Sequence, residues 1–120
     1  MDLLEIFENS DDLLRFPAGT TIFKEGSAGD FMYVIMEGTV GFSLRSESLG
    51  EASAGGIVGE MALLDSHERS ATATASTDCL LAPIDVHSFK MLIQHTPDFA
   101  LHVMNVLADR LRQANEKIVL

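Results

Sequence analysis

All nine glycines of this chain fall between Gly19 and Gly59, and they cut the segment from Leu14 to Ile84 into short β-rich runs. Strands are predicted at residues 21–24, 31–36, 40–45, 70–76 and 79–84. In Val40–Gly41–Phe42–Ser43–Leu44 the large apolar residues alternate, the period of a strand with one buried face. Ala71, Ala73 and Ala75 alternate with Thr72, Thr74 and Ser76 in the same way. Many short strands joined by glycine-rich turns point to a sandwich or jelly roll.

Both flanks read differently. Residues 2–8 suit a short amphipathic helix, with Leu3, Leu4 and Phe7 sharing a face. After Pro83 the period changes to that of a helix over residues 86–94, and Pro97 stands where a second helix begins, running to about Lys117. Along that second helix Ala100, Met104, Leu107, Leu111, Ala114 and Ile118 form a heptad-like stripe. Phe99, Val103 and Val106 form another, one stripe more than a helix lying on its own domain requires. The expectation is one domain over residues 1–120, mainly β with flanking α-helices: a β jelly-roll barrel over about 14–84 and C-terminal helices over about 86–118.

Bulk properties remove several function classes. A hydrophobic content of 47% with 22% charged residues is that of a globular chain. The net charge of −10 repels nucleic-acid backbones and anionic membrane surfaces, so neither is an expected partner. The acidic start MDLLEIFENSDD has no basic region or long apolar core and does not read as a signal peptide, and no apolar run spans a bilayer, which implies a cytoplasmic protein. Cys79 is the only cysteine, which leaves no disulfide framework or multi-cysteine metal site; it reads as a small buried hydrophobe. His67, His87, His95 and His102 are scattered, with no His-x-His pair for a metal and no Ser-His-Asp or Cys-His arrangement, so neither a metal site nor an enzyme is expected. His95 and His102 read as surface helix residues, and Met32, Met36 and Met104 as core filler.

One stretch carries chemistry. In IVGEMALLDSHERSATATA, Arg69 is the only lysine or arginine between Ser46 and Phe89, while Glu47, Glu51, Glu60, Asp65, Glu68, Asp78 and Asp85 surround it in sequence. Gly59–Glu60–Met61–Ala62–Leu63–Leu64 reads as a tight turn entering one short helical turn. The first N–H groups of such a turn lack internal partners and, with the dipole, make an anion socket. Four residues separate Leu64 from Arg69, enough to fold back, and Arg69 is expected to begin a strand with its planar fork near that socket. Glu60 inside an apolar run costs several kcal/mol if buried without partners. An anion on Arg69 with a ligand hydroxyl on Glu60 describes a sugar phosphate; an internal Glu60–Arg69 salt bridge fits the spacing as well.

The segment VGEMALLDSHERSATATA resembles the phosphate-binding cassette of the cyclic nucleotide-binding domain family: an apolar residue, Gly-Glu, a small residue, an aliphatic, a short spacer, then Arg-Ser-Ala. Upstream, IFKEGSAGDFMYVIMEGTV is similar to that family's first strands, with Gly26, Gly29 and Gly38 in place. Downstream, FKMLIQHTPDFALHVMNVLADRLRQANEKI resembles the helices after the barrel in bacterial catabolite-activator (Crp/Fnr-type) proteins, and the likeness runs in one register from about Phe16 onward. It implies that Gly59 and Glu60 meet a ribose 2′-hydroxyl, that Arg69 binds the cyclic phosphate, and that Ser70 and the Ala62 backbone donate further bonds. With Met61 in the same turn and Asn115 in the last helix, these residues are the implied ligand-binding set. The chain departs from the family pattern in a short spacer between Leu64 and Arg69, in Phe23 and Ser27, and in Ala114–Asn115, where catabolite-activator proteins offer a Thr-Ser pair to the adenine.

The resemblance thus implies a regulatory module that binds cAMP, or else cGMP, needs no cofactor, and switches its C-terminal helix. A second copy of the chain along that helix, or a downstream protein, would read the switch. The chain stops at Leu120 without residues for the helix-turn-helix that follows in those activators, so direct transcriptional control is not expected. The rival is a degenerate module that keeps the fold and the dimer seam but binds no nucleotide.

Overall fold

The computed structural model describes residues 3–66 and 68–118, with side chains described to Gln113 except at positions 65 and 66. It divides into two compact units, one ending at Val86 and one beginning at His87.

The first unit opens with helix α1 (Leu3–Phe7), which lies against β3 and buries Leu3. Eight strands follow: β1 (Leu14–Phe16), β2 (Thr21–Phe23), β3 (Phe31–Glu37), β4 (Thr39–Leu44), β5 (Glu47–Ser53), β6 (Ile57–Val58), β7 (Thr72–Ala75) and β8 (Cys79–Asp85). They form two four-stranded antiparallel sheets, ordered β1-β8-β3-β6 and β2-β7-β4-β5. The crossing of the chain between sheets is that of a jelly roll, with the sheets facing each other rather than closing into one hydrogen-bonded cylinder. Ile35, Val58, Cys79 and Leu81 of one sheet and Val40, Ala73 and Ala75 of the other share a single buried cluster. The small alanines of β7 let the sheets approach there, and the alternation read from the sequence puts Ala73 and Ala75 inside, with Thr72 and Thr74 half-buried. Cys79 is buried as expected, its thiol donating to the Thr39 and Thr77 carbonyls at 3.3 and 3.2 Å.

Pro83 sits inside β8, where proline is tolerated because β1 pairs only with Leu81, Leu80 and Cys79 and the sheet narrows beyond them. The β4–β5 hairpin closes through Arg45 and Ser46, both left-handed at φ 51° and 69°. A two-residue hairpin turn demands this handedness and normally recruits Asn-Gly. Here the strain is offset in part by Glu25, whose carboxylate accepts the Arg45 amide at 3.0 and 3.2 Å. Ser46→Gly is therefore expected to raise stability by about 1 kcal/mol. In a thermal melt that is roughly a 3 °C rise in midpoint, and an unchanged or lowered midpoint would show that the turn carries no such strain.

Three strands were not predicted: β1, β5 and β6. β7 starts at Thr72, so Arg69 lies in the loop before the strand and does not begin it. That loop is held by backbone pairing instead: Gly26 N donates to Arg69 O and Arg69 N to Ser27 O, both at 2.8 Å, beside a bridge between Ala28 and Glu68.

The second unit carries helices α2 (Val86–His95) and α3 (Pro97–Ile118). Pro97 occupies the first turn of α3 as expected, with Asp98 beside it at the positive end of the dipole. Phe89 and Phe99 meet edge to face at 5.7 Å, and Phe99 and Val103 are buried. Met104 is not core filler: it is 56% exposed, as is Leu111 at 63%. His102 is not a plain surface residue either, since its Nε2 is shut off from solvent without a hydrogen-bond partner.

Candidate functional site

Arg69 is the centre of the site, and it is buried, at 6% exposure. Burial of a guanidinium in a loop needs explaining, because a desolvated cation costs several kcal/mol. Three elements make its enclosure. Gly59 follows β6 and turns the chain at φ 79° into Glu60 and Met61, which lead into the π-helical turn Ala62–Ser66. Arg69 Nη1 donates to the Gly59 carbonyl oxygen at 3.2 Å. Phe23, at the end of β2, lies under the guanidinium, its ring centroid 4.1 Å from Cζ. Gly29, just before β3, closes on the same group: a Cβ there would stand 2.5 Å from Ala62 Cβ, 2.8 Å from Arg69 Nε and 2.9 Å from Cζ.

Gly59 is equally committed. A Cβ at its left-handed position would meet Arg69 Nη1 at 2.5 Å, Phe31 O at 3.2 Å and Phe23 Cε2 at 3.3 Å. Tyr33 on β3 stacks on Phe23 at 6.4 Å with 18° between planes, and Arg69 Cζ lies 6.0 Å from its ring. Arg69 Nε is solvent-excluded and has no hydrogen-bond partner. Burial lowers the Arg69 pKa below the ordinary arginine value, while Tyr33 and Asp30 pull it back up. Burial likewise raises the Tyr33 phenol, against the opposing field of Arg69.

Of the residues singled out in the sequence, Gly59, Ala62 and Arg69 come together around one guanidinium. Glu60 is 2% exposed in the same turn, a carboxylate carried inside an apolar segment as its sequence context implied. Met61 and Ser70 are exposed beside it. The side chains of Ala114 and Asn115, and all of His67, lie outside the described residues. Sequence reasoning missed Phe23 and Tyr33 as members of the site, and it gave Gly29 no contact with Arg69. A π-system reaching a guanidinium across strands leaves no local spacing to detect.

Among the described residues no three His, Cys, Asp or Glu side chains gather as metal ligands, and no helix is long and apolar enough to cross a membrane. What the arrangement offers is a buried cation with an unsatisfied donor beside the start of a helical turn. That is the equipment for holding an oxyanion.

Comparison with known proteins shows the family. A family model described as cyclic nucleotide-binding domain matches residues 13–96. The cAMP-activated global transcriptional regulator CRP of Salmonella typhimurium is 30% identical over 121 residues, covering 96% of this chain and 58% of that protein. Isozyme 2 of cGMP-dependent protein kinase from Drosophila melanogaster is 35% identical over 98 residues, 80% of this chain but 9% of the kinase. The crystal structure of the Thermus thermophilus catabolite activator protein superposes with a TM-score of 0.79 at 32% identity, over 88% of this chain and 52% of that one. The chain therefore spans little more than half the length of the activators it matches.

Proposed function

The chain belongs to the cyclic nucleotide-binding domain family, and on that footing we propose that it is a regulatory module binding cAMP, or with lower affinity cGMP, at Arg69. The observation that carries this reading is the buried guanidinium with an unpartnered Nε, in a segment with no other cation from Ser46 to Phe89. A cyclic phosphate supplies both the missing charge and the missing acceptor. The seven acidic residues of that segment would repel an anion anywhere but at Arg69.

In this reading the phosphate lies between the Arg69 fork and the N–H of Ala62, with Ser70 adding a hydroxyl donor. Gly59 and Glu60 face the ribose, where the 2′-hydroxyl donates to the carboxylate. Asn115 is the member of the Ala114–Asn115 pair with groups to hydrogen-bond a base. The module is cytoplasmic and not itself an enzyme. Its output is a change in α3 read by a second copy or another protein, no larger than the ligand's differential affinity for the two states of the helix. Relatives of both activator and kinase type support a sensor part used in different assemblies.

Calorimetric titration of ligand-free protein with cAMP and with cGMP tests the reading. Saturable binding in the micromolar class is expected, tighter for cAMP. A flat trace for both, on protein shown to carry no co-purified nucleotide, would sink it and favour a nucleotide-free interaction module.

A further inference from the structure

We infer that Phe23 is a positioning residue of the phosphate subsite: its ring face fixes the plane of the Arg69 guanidinium that the ligand meets. This rests on the cyclic-nucleotide reading above and adds a residue that the cassette pattern does not contain.

Arginine reaches its site on a long rotatable stem, so a fork useful to a phosphate must be held before the phosphate arrives. In this chain the ring of Phe23 lies 4.1 Å from Arg69 Cζ, within the range of a cation–π contact. The ring is itself held by stacking on Tyr33, and glycine at position 59 leaves it room, since a Cβ there would stand 3.3 Å from Phe23 Cε2. Nη1 is pinned to the Gly59 carbonyl and the Nε–Cζ edge abuts Gly29. These contacts set the orientation of a planar group about every axis.

The chemistry of the ring matters as much as its shape. A π face attracts the cation and replaces part of its lost hydration, yet it accepts no strong in-plane hydrogen bond. The ring thus holds the cation without consuming any in-plane N–H beyond the Nη1 already given to the Gly59 carbonyl. A carboxylate in the position of the ring would hold the guanidinium by consuming those donors. Leucine at position 23 would fill much of the volume without the quadrupole, and tyrosine would keep both.

The test is Phe23→Leu against Phe23→Tyr. By calorimetry, Phe23→Leu is expected to weaken cAMP binding roughly tenfold and Phe23→Tyr to stay within about twofold of wild type. In ligand-free protein, 15N relaxation should show the Arg69 Nε–H as rigid as the backbone in wild type and Phe23→Tyr, and mobile on the sub-nanosecond scale in Phe23→Leu. Equal affinities for Phe23→Leu and wild type would overturn the inference, as would equal losses for the two variants. If wild type binds neither cAMP nor cGMP, the cyclic-nucleotide reading falls by itself. The relaxation arm then decides alone whether Phe23 fixes Arg69: an equally rigid Nε–H in Phe23→Leu rejects it, and one loosened in Phe23→Leu but not in Phe23→Tyr upholds it.

Discussion

Arg69→Ala is expected to weaken cAMP binding at least a hundredfold and to leave the protein folded. Truncating one partner of a desolvated charge pair costs about 2–5 kcal/mol, which is some 30- to several-thousandfold in affinity. The upper part of that range applies because the segment from Ser46 to Phe89 holds no second cation to compensate. The fold should survive for a reason visible in the same residue. Its guanidinium is buried with Nε unpartnered, so removing it relieves a desolvation cost that offsets the lost packing on Phe23. Arg69→Lys separates charge from shape: a point charge on a flexible stem restores part of the attraction but not the planar fork, and an intermediate loss is expected. Calorimetric titration of both variants, with a thermal melt of each, checks the pair of claims. Binding by Arg69→Ala within threefold of wild type would place the phosphate elsewhere and leave Arg69 as a structural residue.

How much of this was legible before the fold was known depends on the range of the interaction involved. β2, β3, β4, β7 and β8 were found within a few residues, β7 through a burial alternation that matches its Ala-Thr repeat and the others as apolar runs set off by glycines or turn residues. β5 escaped because it is an edge strand, exposed at nearly every position, with two glutamates and Gly50, and because its turn uses Arg45–Ser46 in place of Asn-Gly. β6 has two residues, too few for a period to register, and β1, as short as β2, has no glycine ahead of it to mark its start. In the site, Gly59, Glu60 and Ala62 were legible since they act through one local turn. Arg69 was expected to begin a strand, and its position is set instead by pairing with Gly26 and Ser27, more than forty residues away. Phe23 stood out only as a residue type unusual at that place in the family pattern, and its contact with Arg69, 46 residues away, left no local trace. Met104 was misjudged for another reason: apolar spacing on a helix does not say which stripe is covered.

Gly38→Ala should be the most destabilising of the conservative changes at glycine, at about 3 kcal/mol, with a fall of roughly 10 °C in melting temperature. Gly38 joins β3 to β4 at φ 94°, where any side chain is strained. A Cβ there would also collide with the Asp78 carbonyl oxygen and stand 2.9 Å from Cys79 Sγ and 3.0 Å from Cys79 Cα. Backbone cannot yield as a flexible side chain can, and this backbone is tied down. Ser76 N donates to Thr39 O at 2.9 Å, Thr39 N donates to Thr77 Oγ1 at 3.0 Å, and the Cys79 thiol donates to Thr39 O. The chain reversals at Gly38 and before β8 are thus interlocked, and Cys79 belongs to the cluster shared by both sheets. Gly19→Ala is the matched control, since Gly19 has φ 88° but nothing within 4 Å of a Cβ, so strain alone should cost it about 1 kcal/mol. Urea denaturation of the two variants separates strain from collision, and equal losses would mean that the reversal at Asp78 shifts aside. The atoms nearest Gly38 belong to Asp78 and Cys79, whereas those nearest Gly29 and Gly59 include Arg69. Below its melting transition Gly38→Ala is therefore expected to bind cAMP with wild-type affinity, and a matching loss of affinity would show that the sandwich and the site are not separable.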